Sequence, residues 1–179
     1  MSAVRIALVA AVLSALGAAP AAQAALPKFK DKTIVIGKSI GGVKLGAPAA
    51  AAKKAWGATG GLCDEFSCLY RVKGDTNGTS GEGSIAFQNK TKVTRVSLKS
   101  AIAATSGHTF KAPFTTPKTS KGIGLGSTAA KVKKAYPKTK ESGNFLSIAG
   151  KGGVETTLTY DSATKRVFEI VIELVTAAS

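Results

Sequence analysis

The stretch "GVKLGAPAAAAKKAWG" (42–57) returns as "GIGLGSTAAKVKKAYP" (122–137), eighty residues downstream and without a gap. Eight of the sixteen positions are identical, among them Leu45/Leu125, Gly46/Gly126 and Lys53/Lys133; Trp56/Tyr136 is a like-for-like exchange. A repeat constrains a fold more than composition does, because whatever one copy builds the chain builds twice. Each copy reads as a short helix, 48–56 and 128–136. Pro48 suits a first helical turn, where its missing N–H is not needed, and Ser127 or Thr128 can cap the second. Gly57 and Pro137 end the two at the same position by different means. Ala52/Val132, Ala55/Ala135 and Trp56/Tyr136 form one narrow apolar face, with Lys53/Lys133 and Lys54/Lys134 toward water. Helices this short are marginal alone, so each needs something to lie on.

The downstream segments supply it. "GSIAFQNKTKVTRVSLKS" (83–100) and "TTLTYDSATKRVFEIVIEL" (156–174) align on Phe87/Tyr160, pairing Ile85/Leu158 and, with one residue inserted near Arg166, Val96/Ile170. Both alternate apolar and polar residues around turns "QNKTK" and "DSATK", the pattern of antiparallel strands. Phe168, Ile170, Ile172 and Leu174 are expected on one face, and Thr94, Val96 and Leu98 take that role in the first copy. Leu69–Val72 and Phe145–Ile148 precede them as strands. The expected architecture is α+β. Two tandem helix-on-antiparallel-sheet repeats, 25–100 and 122–179, share a concave sheet face. Residues 101–121 form a linker held extended by Pro113 and Pro117.

Residues 1–24 stand outside this scheme. Arg5, the apolar run Ile6–Leu16 and small residues ending at Ala24 follow the order of a secretory signal peptide. The run is short for a bilayer span of about 20 residues. Cleavage after Ala24 leaves 155 residues, enough to bury roughly two-thirds of the unfolded surface, with no membrane-spanning segment. Cys63 and Cys68, the only cysteines, are expected to form a disulfide at a hairpin tip in an exported protein. Closing so short a loop contributes about 2 kcal/mol. One histidine and no second cysteine pair leave little for a tetrahedral metal site.

The pattern "G-V-x-L-G" followed by a helix ending at Gly57, then the cysteine pair, then a meander, all repeated, resembles the secreted β-lactamase-inhibitor-protein family. The single module is similar to the SmpA/OmlA type of outer-membrane assembly lipoprotein. The resemblance covers most of residues 33–175 and rests on Leu45, Gly46, Gly57, Leu125, Gly126, Cys63 and Cys68. It implies tandem modules with a concave face that binds a protein. In that family an acidic loop enters the enzyme's cleft. Asp64, Glu65 and Phe66 here offer a short acidic finger, with Tyr70 beside it. The chain departs from the family in having eleven aromatics in all and no second cysteine pair.

Little else carries chemistry. His108 is the only histidine, and no nucleophile–base pair is legible, so no enzyme and no cofactor are expected. The glycines of "GIGLG" lack the spacing and the lysine of a phosphate loop. Asn77–Thr79 and Asn89–Thr91 match glycosylation sequons and mark exposed turns. Net charge is +15, or +14 without Arg5, with a knot that includes Lys131, Lys133 and Lys134. Nucleic acid would want basic residues interleaved with stacking aromatics; Tyr70–Arg71 and the Lys131–Lys140 knot come nearest and are thin grounds for it. Two functions remain in view. One is an exported protein-binding or inhibitor-like module; the other is a cell-envelope component held by its charge to anionic wall polymer or lipid.

Overall fold

The computed structural model describes residues 26–57, 62–72, 75, 79–89, 91–103 and 107–175. The signal segment 1–24 and the first two residues of the Asn77 sequon lie outside them. The described residues are α+β, rich in antiparallel strands with two helices. One eight-stranded sheet contains β4 (Leu62–Cys63), β5 (Ser67–Arg71), β6 (Glu82–Gln88), β7 (Lys92–Lys99), β10 (Lys140–Ser142), β11 (Phe145–Ala149), β12 (Val154–Tyr160) and β13 (Val167–Leu174). Its order is β10-β11-β12-β13-β7-β6-β5-β4. Two meanders thus meet through their last strands, with Ile170 opposite Leu98 and Ile172 opposite Val96.

One face of this sheet is the core side. Leu146, Leu158, Ile170, Leu98 and Tyr70 run across it in register, with Gly83 between Leu98 and Tyr70. Helices α1 (Ala49–Trp56) and α2 (Ala129–Ala135) bury Ala52, Trp56, Ala129 and Val132 in the same core. Pro48 sits at the N-cap of α1, outside the first turn where it was expected, and no side chain caps that helix. Thr128 does cap α2, its Oγ1 accepting from Lys131 N at 3.2 Å. Gly57 ends α1 at φ 89°.

The two helix leads hang on the sheet by corresponding hydrogen bonds. Gly46 N donates to Val93 O (2.8 Å), Val93 N to Ala47 O (2.9 Å) and Ala49 N to Thr91 O (2.8 Å). Gly126 N donates to Val167 O (2.8 Å), Val167 N to Ser127 O (2.9 Å) and Ala129 N to Lys165 O (2.9 Å). Each hairpin also slips register at a corresponding place, between Ala86 and Phe87 and between Thr159 and Tyr160.

That slip corrects one expectation. Glu169 pairs with Thr159 but Val167 pairs with Tyr160, so Phe168 is the extra residue of a bulge. Val167 is fully buried in its place, while Phe168 is displaced to stack on His108. Thr94 is bypassed in the same way, and Val93 takes the core position. Ile170 and Ile172 face inward as expected; Leu174 is exposed.

Two further segments complete the layer over the sheet. Strands β1 (Ile34–Val35), β2 (Ser39–Ile40) and β3 (Val43–Lys44) form a small sheet whose last hairpin turns on Gly41 and Gly42, both at positive φ. A Cβ on Gly41 would stand 2.7 Å from Trp56 Nε1, so the turn closes tightly on the indole. This small sheet ties the halves together: Gly37 N donates to Thr156 Oγ1 (2.8 Å), and Ile34 N to Lys118 O (2.9 Å).

Segment 101–121, expected to run extended, is instead folded. It carries the hairpin β8 (Ala101–Ala103) and β9 (Gly107–Thr109), a cis Ala112–Pro113 bond, and Phe114 in the core. Phe110 packs half-buried against the same core, and a Cβ on Gly126 would stand 3.4 Å from its ring. The two phenylalanines bury apolar surface, and that outweighs the extended preference of the prolines.

Candidate functional site

The residues singled out from sequence do not converge. The disulfide Cys63–Cys68 staples β4 to β5, with Asp64, Glu65 and Phe66 in the turn. Asp64 is not a free acidic finger. Its Oδ1 accepts from Phe66 N (2.7 Å) and Ser67 N (2.6 Å), and these backbone donors, Ser67 first, hold its pKa below the usual carboxylate range. Phe66 is 60% exposed at the tip. Tyr70 is on the other side of the sheet, buried in edge-on contact with Trp56. Burial raises its pKa, and its hydroxyl has no hydrogen-bond partner among the described residues. It is a core residue, not a binding one, because the period-2 register turns it toward α1.

Lys131, Lys133 and Lys134 lie on α2, far along the sheet order from β4 and β5. Lys133 pairs with Glu141 Oε2 at 2.9 Å, and the Tyr160 hydroxyl lies 2.7 Å from Oε1 of the same carboxylate. These contacts, Lys133 first, lower the Glu141 pKa. They fasten the edge strand β10 to the helix.

Lys131 borders a cleft of about 270 Å³ beside Lys118, Ser127, Thr128 and Arg166. The glycine-rich lead here cannot cradle a phosphate, because its donors are committed. Gly122 N donates to Thr119 O, Ile123 N to Thr119 Oγ1, Gly124 N to Ser127 Oγ, and Gly126 N to Val167 O. Arg166 Nη1 is likewise engaged by Gly126 O at 2.8 Å. The glycines form a bend from strand to helix.

Folding does bring polar groups around His108, which sequence reading had left alone. Ser100 Oγ lies 3.1 Å from His108 Nδ1, and the ring stacks on Phe168 with centroids 3.9 Å apart. Burial lowers the His108 pKa first; the charges of Asp161 and Lys99 act in opposite senses. Ser100 is only 1% exposed, and Asp161 Oδ1 is taken by Thr164 N (2.7 Å) and Thr164 Oγ1 (2.8 Å). The hydroxyl is therefore shut away from any substrate, and the group reads as a clamp on the β8–β9 hairpin.

The sheet face turned away from the helices is the surface with a design of its own. One row reads Arg71, Glu82, Lys99, Glu169, Thr159, Phe145; the next reads Ser84, Ser97, Val171, Thr157, Ser147. Arg71 pairs with Glu82, Arg95 Nε stands 3.7 Å from Glu173 Oε2, and the Ser84 and Ser97 hydroxyls are 2.7 Å apart. Four acids (Glu82, Glu155, Glu169, Glu173) and five bases (Arg71, Lys92, Arg95, Lys99, Lys140) stand on this face, so its charges nearly cancel. Its middle holds small side chains, and Phe145 stands 51% exposed at one side. The signal for this surface was the polar half of each strand's alternation, legible once the partner strands are known.

No family model matches the chain, and neither does any curated protein. Among solved structures it is similar to an extracellular protein containing an SCP domain from Bacillus anthracis str. Ames. Identity is 11%, over 72% of this chain and 43% of that one, with a TM-score of 0.44. The match spans less than half of that protein, a likeness too slight to extend its fold or activity to this chain. No helix among the described residues is long and apolar enough to cross a membrane.

Proposed function

We infer that the chain is an exported, non-enzymatic binding module whose working surface is the open face of the eight-stranded sheet, and whose partner is a protein. The observation that carries this is the continuity of that face across the β13–β7 joint, with both signs of charge side by side and a small-residue middle. Such a face offers a protein both hydrogen bonds and charge complementarity without a catalytic pocket. The corresponding bonds of Gly46 and Gly126, and the corresponding bulges, support reading the two halves as copies of one module. On that reading the joined sheets form the concave surface that inhibitor-like proteins of this kind use. The disulfide supports an extracytoplasmic location.

The test is capture from an extracytoplasmic fraction, comparing the wild type with a Phe145→Arg/Thr157→Arg variant. Capture of a protein that survives about 1 M salt, where screening acts within about 3 Å, and that the variant abolishes is the expected result. Capture indifferent to the variant refutes the open face as the working surface.

A further inference from the structure

The positive charge of this chain is not spread evenly over its surface. The layer that covers the core side of the sheet, residues 26–57 and 110–139, holds fourteen lysines and one acid, Asp31. That is +13 of the +14 carried without Arg5. The rest of the chain from residue 58 on, open sheet face included, holds ten basic and nine acidic residues. Packing is what separates the charges. Both helices, the small sheet β1–β3 and the segment from Phe110 to Ser127 lie together over the core face, and nearly all of their lysines are exposed.

We propose that this covering layer is a second interaction surface, which docks the protein onto an anionic lipid membrane and leaves the open sheet face pointing away. Charge complementarity and the character of the cations both favour that occupant. The cations these segments supply are all lysines, hydrated point charges that read charge density. Arg166, which borders the layer at the Lys118–Lys131 cleft, has its fork engaged by Gly126 O. Lys54 and Lys134, in the last turns of the two helices, present exposed ammonium groups from corresponding positions. The layer's aromatics are buried or half-buried: Trp56 and Phe114 are in the core, and Phe29, Phe110 and Tyr136 pack against it. No stacking platform for nucleic-acid bases is left. The upstream run Ile6–Leu16 has the order of an export signal, which would bring the chain to a membrane. This surface is separate from the open face, and either can fail without the other.

The experiment is co-sedimentation of the full exported chain with vesicles of phosphatidylcholine alone or with phosphatidylglycerol added. Two variants each remove two positive charges: Lys54→Gln/Lys134→Gln in the layer, and Arg95→Gln/Lys140→Gln on the open face. A lysine near an anionic bilayer contributes about 1 kcal/mol, roughly fivefold in binding, so the layer variant should bind about 25-fold more weakly. The open-face variant should change binding by less than about threefold, its charges pointing away from the bilayer. Phosphatidylglycerol should be required, and salt should release the protein. Equal weakening by the two variants refutes a defined face and leaves only net charge. Binding to phosphatidylcholine alone, or to soluble polyphosphate or DNA with no vesicle association, overturns the lipid assignment.

Discussion

Adding one methyl group at Gly83 tests how the sheet accommodates Trp56. A Cβ there would stand 2.9 Å from Trp56 Cζ3, and 3.5 Å from both Trp56 Cη2 and Leu98 Cδ2. The indole has nowhere to go. Its Nε1 donates to Ile40 O at 3.1 Å, and the rings of Phe29 and Tyr70 stand edge-on at 5.3 Å each. Overpacking of this kind costs about 1–3 kcal/mol, and replacing a strand glycine by alanine returns about 0.5–1 kcal/mol. Gly83→Ala should therefore lose about 1 kcal/mol, lowering Tm by roughly 2–4 °C in a domain of this size. Far-UV circular dichroism during urea and thermal unfolding measures it. Trp56→Phe removes the clashing ring and should cost about 1–3 kcal/mol by itself, but its loss and that of Gly83→Ala should not add. The double variant should recover about 1 kcal/mol relative to the sum. A Gly83→Ala protein as stable as the wild type, or additive losses, would refute the slot.

Two other groups give independent checks. The His108 pKa is lowered by burial, so the unfolded chain binds its proton more readily. Its stabilising share is complete above the unfolded value near 6.5 and is lost as pH falls through the lower folded value. Urea midpoints at pH 7 and pH 5 should differ more in the wild type than in His108→Gln; equal differences refute the clamp. Tyr70→Phe deletes a buried hydroxyl with no partner among the described residues, and should leave Tm unchanged or raise it, by up to about 1 kcal/mol of stability. A drop in Tm would show that the hydroxyl is bonded.

Local patterns made the helices, the strand alternation and the cysteine hairpin legible in advance. Each is set by neighbours in sequence: spacing on a helix, period two in a strand, two cysteines around a turn. Phe168 was misplaced because a bulge is a property of two paired strands, and nothing in "RVFEIVIEL" alone marks the extra residue. The same limit hid the small sheet β1–β3, whose strands of two residues each carry almost no periodic signal. Tyr70 and Phe66 looked alike as aromatic candidates, and only the register separates the core side from the tip. The segregation of charge was also invisible. It depends on which segments fold over the sheet, and Lys118 counts with Lys38 only after segment 101–121 turns back into the layer.

The joint between β13 and β7 has a consequence for biogenesis. β13 is the last strand of the large sheet to leave a ribosome or a translocation channel, yet it occupies the middle of that sheet. Until it arrives, β7 presents an unpaired edge, and β12 another, each a template for a neighbouring chain. A chain halted before this strand would thus be at its most association-prone, and the arrival of residues 167–174 closes both edges in a single event. The large sheet can therefore close only once residues 167–174 are available, and a chaperone acting on the unfinished chain has two edges to shield rather than one.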